Sequence, residues 1–427
     1  MEKINSVLKE VLDEIKPSEN DLKKINAHLK KFISQLKEQI KKQQIEVQVF
    51  LGGSYAKKTL IKKDIYDIDI FLRFDKKYQR EDISKLAFGL LKNFKNVKKV
   101  HGSRDYFQIK IDKELIFEII PVLKINKPEQ AKNVTDLSYF HVQFTKKNLT
   151  TKKILEEVML AKAFCYANKV YGAESYIRGF SGYSIELLIY HYKTFKNFLK
   201  QSLKIREKIV IDPAKFYKNK ELVFMDLNSA KLQSPIILID PTYNKRNALA
   251  ALSYEKFEKF KKSAQSFLKK PSKEYFKKKS PDFKKLKTMA INKKLNFILI
   301  KSETPKQKGS IAGSKLLKFF NYLSLEIEKF FEIKNKEFEY SYGNSAYYCF
   351  IAKPKKNIIH KGPFRDDKPH VRKFKEKHSK IFIKKSRLYT KEKTYSSLQL
   401  FFEIFKKKYK KQIKAMYITK LEIADFY

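Results

Sequence analysis

The segment Asp67-Ile68-Asp69-Ile70-Phe71-Leu72 places two acids two residues apart inside an alternating apolar run. On a strand, residues i and i+2 share a face. Both carboxylates therefore emerge on one side while Ile68 and Ile70 enter a core. The apolar continuation predicts a central strand, with a solvated edge strand as the plain alternative. Two like charges side by side on a buried strand need a neutralising cation, and hard oxygen donors favour magnesium. Glu118 stands alone among the apolar residues of Leu115-Ile116-Phe117-Glu118-Ile119-Ile120-Pro121. Its burial without a partner would be costly. From a neighbouring strand it would reach the same metal ions; a lysine partner is the alternative. Asp67, Asp69 and Glu118 are thus the candidate catalytic and metal-ligating residues, a set suited to two-ion, in-line displacement at phosphorus.

Gly52-Gly53-Ser54 follows the alternating stretch that ends at Leu51 and precedes Tyr55-Ala56-Lys57-Lys58. With only 11 glycines in 427 residues, a glycine pair at a strand end is conspicuous. It permits a tight turn and lets backbone N–H groups face a ligand. Gly53, Ser54 and Lys57 are candidate phosphate contacts at a helix start, unless the pair serves only as a strand–helix turn.

The hydrophobic period divides the chain. Residues 1–16 and 18–44 carry apolar stripes at helical spacing, split at Pro17 with Ser18 as N-cap. Strand-like alternation then runs through 46–51, 67–72, 106–111 and 115–125. We delimit a mixed α/β domain over 1–143, a mainly helical one over 144–262, and a basic module over 263–427. In the last, Phe297–Ile300 and Glu337–Ile351 read as strands, and Leu316–Phe331 and Ser397–Tyr409 as helices. The fold class is α+β and multidomain.

Lysine and arginine number 94 against 46 acids, a net charge of +48. Part of that lysine excess follows from AT-rich coding, yet a field so positive still selects polyanions, nucleic acid first. Two cysteines cannot form a disulfide framework, which implies a reducing, cytoplasmic setting. No apolar stretch has membrane-spanning length.

The Gly-Ser turn, the Asp-x-Asp strand and the isolated acid on a later strand resemble the DNA polymerase β-like nucleotidyltransferase superfamily. Downstream, Tyr171-Gly172-Ala173-Glu174 through Gly179-Phe180-Ser181-Gly182-Tyr183, then Asp240-Pro241, Lys245-Arg246-Asn247-Ala248 and Lys361-Gly362-Pro363-Phe364, are similar to the archaeal (class I) CCA-adding enzymes. That resemblance implies a polymerase β-like catalytic head, a helical central domain, and a C-terminal body and tail that hold the tRNA acceptor arm. It implies template-independent addition of C, C and A from CTP and ATP with two Mg2+ ions, and leaves a homodimer open. It adds His141, Lys162 and Tyr171 as triphosphate contacts and sets Arg246 against the incoming base. Glu118 stands where the family usually has Asp, Lys57 where it has Arg, and Leu60 where Trp is common. An adenylate-only polymerase or oligoadenylate synthetase is the enzyme alternative, and an inactive RNA-binding protein on the same fold the non-enzyme one.

Overall fold

The computed structural model describes residues 2–80, 82–102, 104–341, 343–355, 359–391 and 395–424. They form two compact units, residues 1–279 and 280–427.

The first unit begins with α1 (Glu2–Ile15) and α2 (Glu19–Lys42). Ser18 Oγ accepts from the Asp21 N–H at 3.1 Å while the Asp21 carboxylate accepts from the Ser18 N–H at 3.0 Å, a reciprocal cap that fixes where α2 starts. The strands β1 (Val47–Leu51), β2 (Tyr66–Phe74), β3 (Val97–Val100), β4 (Tyr106–Lys110) and β5 (Leu115–Leu123) pair in the order β1-β2-β5-β4-β3. The short α3 (Gly53–Ala56) follows β1, and α4 (Ile83–Leu91) precedes β3. β2 lies between β1 and β5, so the Asp-x-Asp strand is central and not an edge. Ile68, Ile70, Leu72 and Phe74 are fully buried, as the alternation predicts. They pack with Ile25, Leu29, Phe32 and Leu36 of α2 in one core.

The helices α5 (Ser138–Asn148), α6 (Lys152–Ala167), α7 (Gly182–Tyr192), α8 (Phe195–Lys204) and α10 (Tyr254–Lys269) come next in the chain, with α9 (Lys220–Asp226) between the last two. α6, α7, α8 and α10 build a second core with Leu8 and Val11 of α1, in which Phe164, Phe195, Phe198, Phe260 and Phe267 are fully buried. Pro17 therefore separates two helices that serve different cores. This helical region also holds a small sheet, β6 (Ile209–Ile211), β7 (Ile236–Asp240) and β8 (Tyr243–Asn247), that the helical periodicity did not reveal.

The second unit contains α11 (Phe283–Asn292), β9 (Asn296–Glu303), α12 (Ser310–Phe330), β10 (Phe331–Tyr340) and β11 (Ser345–Pro354). After them come β12 (Ile359–Phe364), α13 (Lys368–Lys377), β13 (Ile381–Lys384), β14 (Arg387–Lys391), α14 (Leu398–Lys408), α15 (Lys410–Ala415) and β15 (Lys420–Ile423). One sheet runs β10-β11-β9-β15 beneath α12 and α14, and another runs β12-β14-β13. No helix among the described residues is long and apolar enough to cross a membrane.

Candidate active site

β2 and β5 run parallel, and their register sets Asp69 directly beside Glu118. Asp67 sits two residues earlier on the same face. Burial, then Glu118, then Asp67 push the Asp69 carboxyl up to about 7, against the pull of Lys57 and Lys63. Burial likewise raises Glu118, although a hydrogen bond from Gln108 opposes it. The three acids thus form one electrostatically coupled cluster at the centre of the sheet.

Each outer acid already has a partner. Lys63 Nζ lies 2.8 Å from Asp67 Oδ1, and Gln108 Nε2 donates to Glu118 Oε1 at 2.8 Å. Among the described residues, no three His, Cys, Asp or Glu side chains stand arranged as a finished metal cage. The donor chemistry nevertheless fits a hard divalent cation: oxygen atoms only, with mutual repulsion that a cation relieves. Asp67 and Glu118 would exchange Lys63 and Gln108 for the ion.

The glycine pair shapes the floor of this cluster. Gly53 adopts φ +59°, and a Cβ there would stand 1.7 Å from Asp69 Oδ2. Only glycine satisfies both constraints. Ser54 follows it in the first turn of α3.

Lys57 and Lys162 converge on a residue the sequence reading did not single out. Glu186 Oε2 accepts from Lys57 Nζ at 2.7 Å, and Glu186 Oε1 accepts from Lys162 Nζ at 2.8 Å. Lys162 also donates to Thr59 Oγ1 at 2.8 Å, and Thr145 Oγ1 lies 3.2 Å from Glu186 Oε2. Lys57, Lys162 and Glu186 are 8%, 2% and 1% exposed. Burial alone would raise the Glu186 carboxyl; Lys162 and Lys57 outweigh it and hold the group at about 2. Burial and the neighbouring Lys57 lower Lys162 in spite of Glu186. The signal for Glu186 was present in Ser181–Tyr192, where it is the one acid, set among Ile185, Leu187, Leu188 and Ile189, the same anomaly that exposed Glu118.

A second buried carboxylate, Asp240, gathers His141 and Arg246. Arg246 Nη1 donates to Asp240 Oδ2 at 2.7 Å, and His141 Nε2 lies 3.0 Å from the same oxygen. Burial lowers the His141 pKa more than Asp240 raises it, so the imidazole is neutral at physiological pH. The Tyr183 ring stacks on His141 with centroids 3.9 Å apart.

Tyr171 begins the glycine-rich loop. The loop closes on itself through Gly172 N–H to Phe180 O, Gly179 N–H to Gly172 O and Phe180 N–H to Val170 O, each at 2.8 Å. A Cβ on Gly179 would meet Val170 O at 2.1 Å, so this closure excludes any other residue there. A Cβ on Gly182 would stand 2.9 Å from the Tyr171 hydroxyl, which therefore packs against the start of α7. Burial, with Asp67 and Glu186 nearby, raises the Tyr171 phenol.

Sequence comparison matches residues 1–156 to the family described as Second Messenger Oligonucleotide or Dinucleotide Synthetase domain, and residues 156–277 to that described as tRNA nucleotidyltransferase, second domain. The CCA-adding enzyme of Methanocaldococcus jannaschii is 30% identical over 413 residues, covering 92% of this chain and 89% of that enzyme. The chain belongs to the CCA-adding enzyme family. A second member, the CCA-adding enzyme of Nanoarchaeum equitans, is 46% identical over 211 residues; the match spans 49% of this chain and about half, 52%, of that enzyme. A structure of the Cid1 poly(U) polymerase with Mg 3′-dATP bound superposes with a TM-score of 0.50 over 64% of this chain and 98% of that one, at 14% identity. That likeness assigns the nucleotidyltransferase fold.

Proposed function

We propose that this chain adds C, C and A to the 3′ end of tRNA, without a nucleic-acid template, from CTP and ATP in the cytoplasm. The observation that carries the proposal is the pairing of Asp69 with Glu118 across β2 and β5, beside the buried lysines Lys57 and Lys162. Asp67, Asp69 and Glu118 would hold two magnesium ions, which supply acidity to the primer 3′-OH and neutralise charge developing on the α-phosphate and pyrophosphate.

The remaining groups position the reactants. Lys57 and Lys162 present charged donors to the triphosphate, with Gly53 and Ser54 at the start of α3 and the Tyr171 hydroxyl around them. Glu186 balances part of the charge of the two lysines, so the pocket is not left with an uncompensated pair when empty. His141 gives its Nε2–H to Asp240, and being neutral it contributes orientation more than charge. Arg246 faces the incoming base. Cytosine and adenine share an exocyclic amino group beside a bare ring nitrogen, and an arginine N–H donates to that nitrogen. Catalysis rests on positioning and charge stabilisation more than on a strong side-chain base. The net charge of +48 supports recognition of the tRNA acceptor arm.

The test is nucleotide incorporation on tRNA transcripts ending at the discriminator base, at C and at CC, with each triphosphate alone and in pairs. Ordered C, C, then A, abolished by Asp67→Ala, is the expected result. Adenine tails of any length, or turnover on unstructured RNA, would assign the chain to an adenylate polymerase class instead.

A further inference from the structure

We propose that Asp240 is a positioning residue for nucleotide selection: its buried carboxylate fixes the face that Arg246 turns to the incoming base. The inference rests on the reading above that Arg246 faces that base.

Asp240 is 0% exposed, and its hydrogen-bonding capacity is filled. Oδ2 accepts from Arg246 Nη1 at 2.7 Å and from His141 Nε2 at 3.0 Å. Oδ1 accepts from the Tyr183 hydroxyl at 2.9 Å, the Thr242 N–H at 2.9 Å and Thr242 Oγ1 at 2.8 Å. These donors come from α5, α7 and the β7–β8 hairpin, so the carboxylate is held from three directions. The β7–β8 register shifts between Ile239 and Asp240. Such an irregularity re-aims a side chain that a regular ladder would direct elsewhere.

The accessible end of the cluster is the guanidinium. Arg246 keeps 21% of its side chain exposed while its acceptor keeps none. One terminal nitrogen is committed to Asp240, which orients the plane of the group and leaves its other N–H donors uncommitted to that carboxylate. The Tyr183 ring lies 5.8 Å from the guanidinium and backs the same assembly.

This anchoring matters for selection because the rejected bases are also acceptors. Cytosine and adenine offer a bare ring nitrogen beside an amino group. Uracil and guanine offer a ring N–H beside a carbonyl oxygen. A mobile guanidinium would follow the carbonyl and donate to it. One fixed in place donates only where the ring nitrogen sits, and meets an N–H in the wrong bases. Selectivity of this kind comes from donors that cannot adjust.

The experiment is single-turnover incorporation by Asp240→Asn, measured separately for CTP, ATP, UTP and GTP on the matching tRNA transcripts. Asparagine keeps one oxygen for Tyr183 and Thr242 and replaces the Arg246 acceptor with a donor. We expect discrimination against UTP and GTP to fall at least about tenfold, with CTP and ATP losing most of the rate. An equal loss for all four nucleotides, or unchanged discrimination, overturns the proposal. Arg246→Ala separates the two readings. If Arg246→Ala leaves discrimination intact, the base-facing reading of Arg246 fails; if Arg246→Ala relaxes it and Asp240→Asn does not, the positioning proposal fails. The double variant is expected to discriminate no worse than Arg246→Ala alone, since the effect of Asp240 travels through Arg246. Should Asp240→Asn not fold, Tyr183→Phe removes one bond to Oδ1 and keeps the ring; a loss of discrimination of about threefold supports the proposal and no loss overturns it.

Discussion

Lys162 Nζ lies 2.8 Å from Glu186 Oε1, and the two side chains share that contact almost without solvent. Glu186 serves Lys57 equally closely. Glu186→Gln leaves two buried ammonium groups facing an amide and should cost about 3–5 kcal/mol of stability. Urea unfolding at neutral pH measures it. A saturating triphosphate supplies the missing anion, so CTP should raise the melting temperature of the variant more than that of the unaltered chain.

The same residue sets an acid limit. The folded Glu186 carboxyl, held at about 2, lies below its unfolded value. Its contribution is therefore complete above the ordinary glutamate range and is lost as pH falls through that range toward the folded value. The shift amounts to about 3 kcal/mol. Unfolding free energies compared at about pH 7 and about pH 3 should converge for the unaltered chain and Glu186→Gln as the acid range is entered.

Asp69 has the opposite sign. Its carboxyl is raised to about 7 by burial, Glu118 and Asp67, so the folded state binds its proton more tightly than the unfolded chain does. That destabilises the fold as pH rises through the interval, and the penalty is complete above it. Asp69→Asn without divalent metal should be more stable than the unaltered chain by about 1–3 kcal/mol at about pH 8, with no gain at about pH 4. Magnesium should narrow the difference, and the variant should incorporate no nucleotide. Thermal melts with and without the ion measure both effects.

Gly53→Ala asks a left-handed residue to carry a Cβ into Asp69. The backbone strain costs about 1–3 kcal/mol. The displaced carboxylate should cost more: a fall in the incorporation rate of about a hundredfold or greater, with the melting temperature lowered only modestly.

Lys63 occupies Asp67 at 2.8 Å and so stands where a divalent ion would place its charge. Lys63→Ala should lower the magnesium concentration needed for half-maximal stabilisation against heat, by about threefold or more. An unchanged requirement would mean that Lys63 moves aside at no cost.

What the sequence made legible was whatever announces itself along one strand or helix. The apolar continuation Ile70-Phe71-Leu72 identified β2 as a central strand, and the lone charge in an apolar run identified Glu118. The turn at Gly52-Gly53 was visible because the chain is so poor in glycine. Partner choice was not legible, because it is decided across the chain. Glu186 lies 129 residues from Lys57 and 24 from Lys162, and Asp240 lies 99 from His141, so these partners are fixed by packing between elements that local pattern does not encode. The β6-β7-β8 sheet escaped for a related reason. Its strands are short, and Ile236–Asp240 is buried throughout, so no alternation marks it.

Lys57 follows the first strand of the sheet layer, yet the acid that receives its charge lies 129 residues later, in α7. Recombination that carried the sheet layer into another protein without that helix would strip Lys57 of the carboxylate that balances its charge. The two segments therefore keep this ion pair only when they travel together.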